Sequence, residues 1–306
     1  MNSIQAPAVD KYLTRVPEMV PAWQREEPVV WGTQDGPLNS ENIAFYEQNG
    51  FLQVDSLLNP DQVRRCHEEL DRLKHAQDLL ASELVIREPH SQDIRSVFRA
   101  HQVSEVFSDI IHSPRLADMA RQILGSDVYI HQSRVNYKPA FGGAEFDWHS
   151  DFETWHAEDG MPLPRAFSIS LSLTENYEFN GPLMVIPGSH KTFVPSIGET
   201  PAENHRTSLK AARLTIGTVD HGVLTDIAQE KGIRQVTGPA GSGVLFDCNI
   251  LHGSNGNITP FPRSNIFIVY NSIENKLRAP YYAPKERPHY LADRDFRVVP
   301  RHVPSQ

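Results

Sequence analysis

From Val128 onward the chain stops reading as helix and becomes a series of short β-branched and aromatic runs. The segment 128–138 opens the series, 165–173 alternates cleanly, and 183–186, 234–237, 243–248 and 264–273 follow. Asn180-Gly181-Pro182 and Pro187-Gly188-Ser189 supply turns between them. Strands this short bury an apolar face only by closing on themselves or by stacking against a second sheet.

Upstream the texture is helical. The stretch 40–48 reads as a short helix, with Asn39 or Ser40 as N-cap and Gly50 as its stop. A strand at 51–54 follows, and Asn59-Pro60-Asp61 opens a stronger helix to about residue 76, with Leu70 and Leu73 on its apolar face. Two further helices are expected at 103–112 and 114–124, the second stopped by Gly125. Helices before strands give the α+β class, a closed or double-sheet β-core buttressed by helices.

The whole chain, residues 1–306, reads as one domain. It comprises an irregular arm (1–38), a mainly helical part (39–127), the β-core (128–276) and a Pro-, Arg- and Tyr-rich wrap (277–306). An insertion at 192–232, with few strand signals and a short helix, interrupts the core.

A hydrophobic share of 39% supports a sizeable core. The net charge of -9 and the lack of any basic run argue against nucleic acid as a partner. No apolar run is long enough to span a bilayer, which makes a cytoplasmic setting the expectation. Cys66 and Cys248 read as buried apolar fillers rather than a disulfide.

The chemistry concentrates in Phe146-Asp147-Trp148-His149-Ser150-Asp151 and the later Asn249-Ile250-Leu251-His252-Gly253-Ser254. Two imidazoles and a carboxylate can hold one face of an octahedral metal and leave three positions free, as in the facial triad of non-haem Fe(II) oxygenases. On a strand, His149 and Asp151 would project to one side. Only folding can bring His252 to them. Asp147 shares their parity and is a rival ligand, as His156 is to His149. Zinc hydrolysis with the same donors is a chemical alternative.

A 2-oxo acid chelating such an iron through its carboxylate and keto oxygen needs a fixed cation for its far carboxylate. Arg263, with its planar fork, is the first candidate, and Lys138 the second. Their alternatives are a structural ion pair for Arg263 and a surface strand position for Lys138. Asn136 and Ser254 can add hydrogen bonds.

Residues 146–176, then Gly181 through His190 and 244–276, closely resemble the signature stretches of the bacterial ectoine hydroxylases. Those enzymes belong to the phytanoyl-CoA-hydroxylase-like group of Fe(II)/2-oxoglutarate dioxygenases. The resemblance implies a double-stranded β-helix, a cupin-type jelly roll, with surrounding helices. It implies His149, Asp151 and His252 as iron ligands and Lys138 and Arg263 as 2-oxoglutarate contacts. Gln132, Thr154, Trp155, Phe246 and Phe267 match ectoine-pocket positions, and Arg287 matches, more loosely, an arginine that holds the ectoine carboxylate.

Aromatic faces suit ectoine, a small cyclic amidine bearing a carboxylate. Each aromatic alone could equally be core packing, an alternative that Trp155 escapes best because it lies in a polar stretch. The implied reaction hydroxylates ectoine to 5-hydroxyectoine, consuming O2 and 2-oxoglutarate and releasing succinate and CO2, in a homodimer. A dioxygenase for another small amino-acid-like compound, or a cupin-like metal or solute binder without turnover, are the rival readings.

Overall fold

Two antiparallel sheets carry the architecture. The structure, a computed structural model, describes residues 10–32, 35–89, 91–209 and 216–301. The larger sheet runs Phe51–Val54, Gly243–Asp247, Ala166–Ser172, Arg263–Ser272, Val128–Lys138, Ile94–Phe98, Val85–Arg87. The smaller runs Arg234–Val236, Leu183–Val185, His252–Ser254, Phe146–His149. From Val128–Lys138 to Arg263–Ser272 the strands of these two sheets alternate between them, save that Leu183–Val185 and Arg234–Val236 pair within the smaller one, which is the winding of a double-stranded β-helix, the jelly roll.

Strand alternation gives the larger sheet two unlike faces. One carries Val135, Ile169, Leu171, Leu245, Ile266 and Ile268, packed against Tyr46, Leu70, Leu73, Phe107, Leu116 and Ile123 of the helices. Each such side chain stabilises the fold by roughly 1.5–3 kcal/mol on burial. The other face carries Val244, Phe246, Phe267 and Val269, which pack toward Val185 and Val236 of the smaller sheet. On that inner face the strand Val128–Lys138 places Gln132, Arg134, Asn136 and Lys138, opposite Val269, Phe267, Asn265 and Arg263.

Local chemistry sets the helix ends. Asn39 accepts a hydrogen bond from the Asn42 amide, and Gly50 closes the helix Ser40–Asn49 at φ 77°. Asn59 and Gln62 form a reciprocal capping box at the start of Pro60–Lys74.

The structure departs from the sequence expectations at several points. The helix expected at 103–112 is two, Ala100–Val103 and Glu105–Ile111, because Ser104 leaves the helical region at φ -148° and caps Phe107. The mainly helical part also contributes the edge hairpin Val85–Arg87 and Ile94–Phe98. In the arm, Trp23–Gln24 pairs with Thr192–Phe193. The insertion holds two described helices, Asn204–Ser208 and His221–Lys231. No described helix is long and apolar enough to cross a membrane. Cys66 and Cys248 are buried and unpaired.

Candidate metal centre and its cavity

His149 ends the strand Phe146–His149, and His252 begins the strand beside it, directly opposite in register. Asp151 is not on the strand, so the alternation argument does not hold for it. It opens a helical turn, Asp151–Thr154, which Ser150 starts by accepting from the Glu153 amide. The three side chains nonetheless converge, their ligand atoms lying within 4.8 Å of one another. His149 Nε2 is 3.6 Å from Asp151 Oδ1, and His252 Nε2 is 3.8 Å from Asp151 Oδ2.

The donor set fits a metal. The Nδ1 of His149 lies 2.7 Å from the Asp147 carbonyl, and that of His252 lies 3.0 Å from the Ile250 carbonyl. Carbonyl acceptors fix the proton on Nδ1 and leave each Nε2 lone pair for an ion. Asp151 Oδ2 is buried and has no hydrogen-bond partner. Burial, helped by neighbouring His149, pushes His252 down to about 4, so it stands neutral as a ligand must. Burial opposes ionisation of Asp151, but the pull of the neighbouring histidines and of Arg134 outweighs it and lowers its pKa. Of the two rival ligands, Asp147 stays outside this cluster, and His156 is engaged elsewhere, 2.8 Å from the Met161 carbonyl through Nδ1.

A cavity opens beside the two histidines, lined also by Asn136, Lys138, Ser254, Arg263, Phe246 and Phe267. Its far end is cationic. Lys138 Nζ donates to Ser254 Oγ at 3.0 Å and to the Asn255 carbonyl at 2.5 Å. Arg263 faces Lys138 across the strands, and its enclosed Nε has no partner. Burial first, then Arg263 and Arg95, bring Lys138 down to about 6. Burial alone brings Arg263 down to about 10. Glu88 is the one acid among the described lining residues. Two desolvated cations with so little compensation make a receptor for a carboxylate. Asn136 is held by Ser96, whose Oγ donates to its Oδ1 at 2.9 Å.

The remaining four sequence-derived residues are not among the described lining of this cavity. Gln132 gives its amide to the Leu291 carbonyl at 2.7 Å. Trp155 packs in the inner core, edge-on to His131 at 5.0 Å, rather than escaping core packing. Thr154 Oγ1 lies 3.4 Å from Glu153 Oε2. Arg287 is paired with Asp159 through Nε and Nη2, both at 2.7 Å.

Sequence reasoning missed Arg134. It lines the cavity, its guanidinium lies 4.5 Å over the Phe267 ring, and its buried Nε has no partner. The signal was available, since Arg134 shares strand parity with Gln132, Asn136 and Lys138. Phe146, beneath Lys138 at 5.7 Å from its ring centroid, was missed as well.

A jelly roll with a two-histidine, one-carboxylate centre and a cationic pocket beside it defines a non-haem iron dioxygenase of the 2-oxoglutarate-dependent class. The model of the phytanoyl-CoA dioxygenase (PhyH) family matches residues 46–265, and the chain belongs to that family. An ectoine dioxygenase of Streptomyces avermitilis is 53% identical, over 90% of this chain and 93% of its own. The crystal structure of EctD from S. alaskensis with 2-oxoglutarate and 5-hydroxyectoine is 42% identical, with a TM-score of 0.82 over 93% of this chain and 95% of that one. The same protein with bound Fe gives a TM-score of 0.84 at 41% identity, over 96% and 98%.

Proposed function

We propose that this chain hydroxylates ectoine to 5-hydroxyectoine, using Fe(II), 2-oxoglutarate and O2 and releasing succinate and CO2. The observation that carries this is the convergence of His149, Asp151 and His252 beside a cavity whose far end holds Lys138 and Arg263 with almost no opposing acid. The similarity to ectoine dioxygenases supports the substrate.

Bound iron supplies the redox chemistry that couples decarboxylation of 2-oxoglutarate to insertion of one oxygen atom of O2 into the substrate. The protein's part is placement. His149, Asp151 and His252 would hold the metal from one side and leave the other open. Arg263 and Lys138 bind the far carboxylate of 2-oxoglutarate, with Ser254 and Asn136 as hydrogen-bonding neighbours. Phe246 and Phe267 flank the metal side of the cavity, exclude water and offer faces to the delocalised amidinium. Gln132, Thr154, Trp155 and Arg287 complete the ectoine pocket, Arg287 pairing with the ectoine carboxylate.

The reading takes the chain as one catalytic domain, supported by the packing of the arm and the C-terminal segment against residues 151–159. It also takes the enzyme as a cytoplasmic homodimer; the resemblance supports the dimer, and the free cysteines suit a reducing compartment. Sedimentation of the purified protein tests the dimer.

Anaerobic loading with Fe(II) and 2-oxoglutarate, then addition of ectoine and O2, tests the reaction. One succinate per product heavier by a single oxygen atom is expected. Succinate formation that ectoine does not stimulate, but another small amino acid does, would transfer the assignment to that substrate. No turnover with any of them would leave a binding protein.

A further inference from the structure

Residues 151–159 carry the metal ligand Asp151, then Thr154 and Trp155, and finish as a π-helical turn, Trp155–Asp159. Such turns are rare and recur at functional sites. Beyond Asp151, the segment contains three buried carboxylates, Glu153 in the helical turn and Glu158 and Asp159 in the π-helical one. Two of them are gripped by the N-terminal arm. Arg15 Nε donates to Glu153 Oε1 at 2.7 Å, Nη2 donates to Glu153 Oε2 at 3.0 Å, and Nη2 lies 3.2 Å from Glu158 Oε1. Arg15 Nη1 donates to Thr200 of the insertion at 3.2 Å.

The neighbouring Thr14 donates to Glu153 Oε1 at 2.6 Å and accepts from the Ser196 amide at 2.9 Å. Asn204 donates to Glu158 Oε1 at 2.8 Å. On its other side Glu158 Oε2 lies 4.0 Å from Arg287 Nε, so one carboxylate stands between Arg15 and the C-terminal arginine. The Arg15 side chain is 1% exposed, and its backbone sits at φ 54°, a conformation that non-glycine residues rarely adopt. Strain of this kind persists only where the surroundings fix it.

We propose that Arg15 is a positioning residue for the substrate side of the site, acting through Glu153 and Glu158 on the turn that bears Asp151 and Trp155. The inference rests on the reaction proposed above. It gives the arm a role in the chemistry: a planar fork from the start of the chain fixes the turn against both the insertion and Arg287. The cosubstrate end, built on the strands Val128–Lys138 and Arg263–Ser272, does not depend on it.

Arg15→Met removes the charge while keeping much of the bulk, and Arg15→Lys keeps the charge without the fork. In the iron-loaded Arg15→Met enzyme the KM for ectoine should rise roughly 10-fold, as a small misplacement of a reacting group does, with the KM for 2-oxoglutarate unchanged. Hydroxyectoine formed per succinate should fall, because cosubstrate turnover continues around a misplaced substrate. Anaerobic calorimetry should show ectoine affinity weakened by the same factor, and Arg15→Lys should recover part of both losses. Thr14→Val should move the same ratio in the same direction by less, and it carries the test if Arg15→Met does not fold. A folded Arg15→Met enzyme, or failing that Thr14→Val, with wild-type KM values and a wild-type product-to-succinate ratio overturns the assignment. Wild-type protein that makes no succinate in response to ectoine would instead overturn the reaction itself.

Discussion

The two ends of the site treat charge in opposite ways. At the end formed by Lys138 and Arg263, cations are taken out of water with little to balance them, and both are pushed toward their neutral forms. Along residues 153–159 each buried acid has a cationic partner, Arg15 for Glu153 and Glu158, and Arg287 for Asp159. An uncompensated buried charge costs stability and persists where a ligand completes it. A fully paired network contributes geometry instead. On the proposed function the first end is a receptor, and the second is a frame.

Breaking the centre between the two ends should have the largest effect. Asp151→Ala removes the one anionic ligand and should abolish both iron retention and succinate formation, measured by metal analysis and product assay. Next, Asp159→Asn strips the frame of a partner and leaves the Arg287 guanidinium only the more distant Glu158, at 4.0 Å. It should lower folding stability by about 3–5 kcal/mol, read by denaturant unfolding.

Arg263→Met sharpens the contrast from the receptor side. It should weaken 2-oxoglutarate by roughly 100-fold, the cost of stripping one partner from a desolvated charge pair. The same substitution should raise, not lower, the unfolding temperature of the ligand-free protein. A fall of the size seen for Asp159→Asn would show that Arg263 belongs to a structural ion pair.

The smallest effect is one of pH. Free Lys138, at about 6, is largely neutral at neutral pH, and an arriving carboxylate favours its charged form. Binding of 2-oxoglutarate should then take up close to one proton at neutral pH. Affinity should be highest below the free value and fall by up to about tenfold per pH unit above it, until the bound-state pKa is reached. Calorimetry in buffers of different ionisation enthalpy measures the uptake; none at all would mean that Lys138 is charged before the ligand arrives.

The receptor end was legible in the sequence because it lies on regular strands. Lys138 and Asn136 share a face by alternation, and Arg263 begins the strand that pairs with theirs. The frame was not legible. Arg15 and Glu153 are 138 positions apart, and no local period announces an ion pair of that span. The hairpin Val85–Arg87 and Ile94–Phe98, whose first strand forms the sheet edge, was missed because both strands are short and Arg87 and Arg95 break their apolar pattern.

Asp151 was chosen through a strand that ends two residues before it. The pattern Ser150-Asp151-Phe152-Glu153 is a helix-start signature and could have shown that the carboxylate sits on a helical turn. Arg287 could be named only through the resemblance, and its partner Asp159 emerged only with the fold.

Anomalous diffraction from anaerobic crystals soaked with Fe(II) and 2-oxoglutarate is the most direct test. A single iron bonded to His149 Nε2, the Asp151 carboxylate and His252 Nε2 is expected, with the far carboxylate of 2-oxoglutarate between Lys138 and Arg263. Iron on other residues, or that carboxylate seated on Arg287, would contradict the division of the site into receptor and frame.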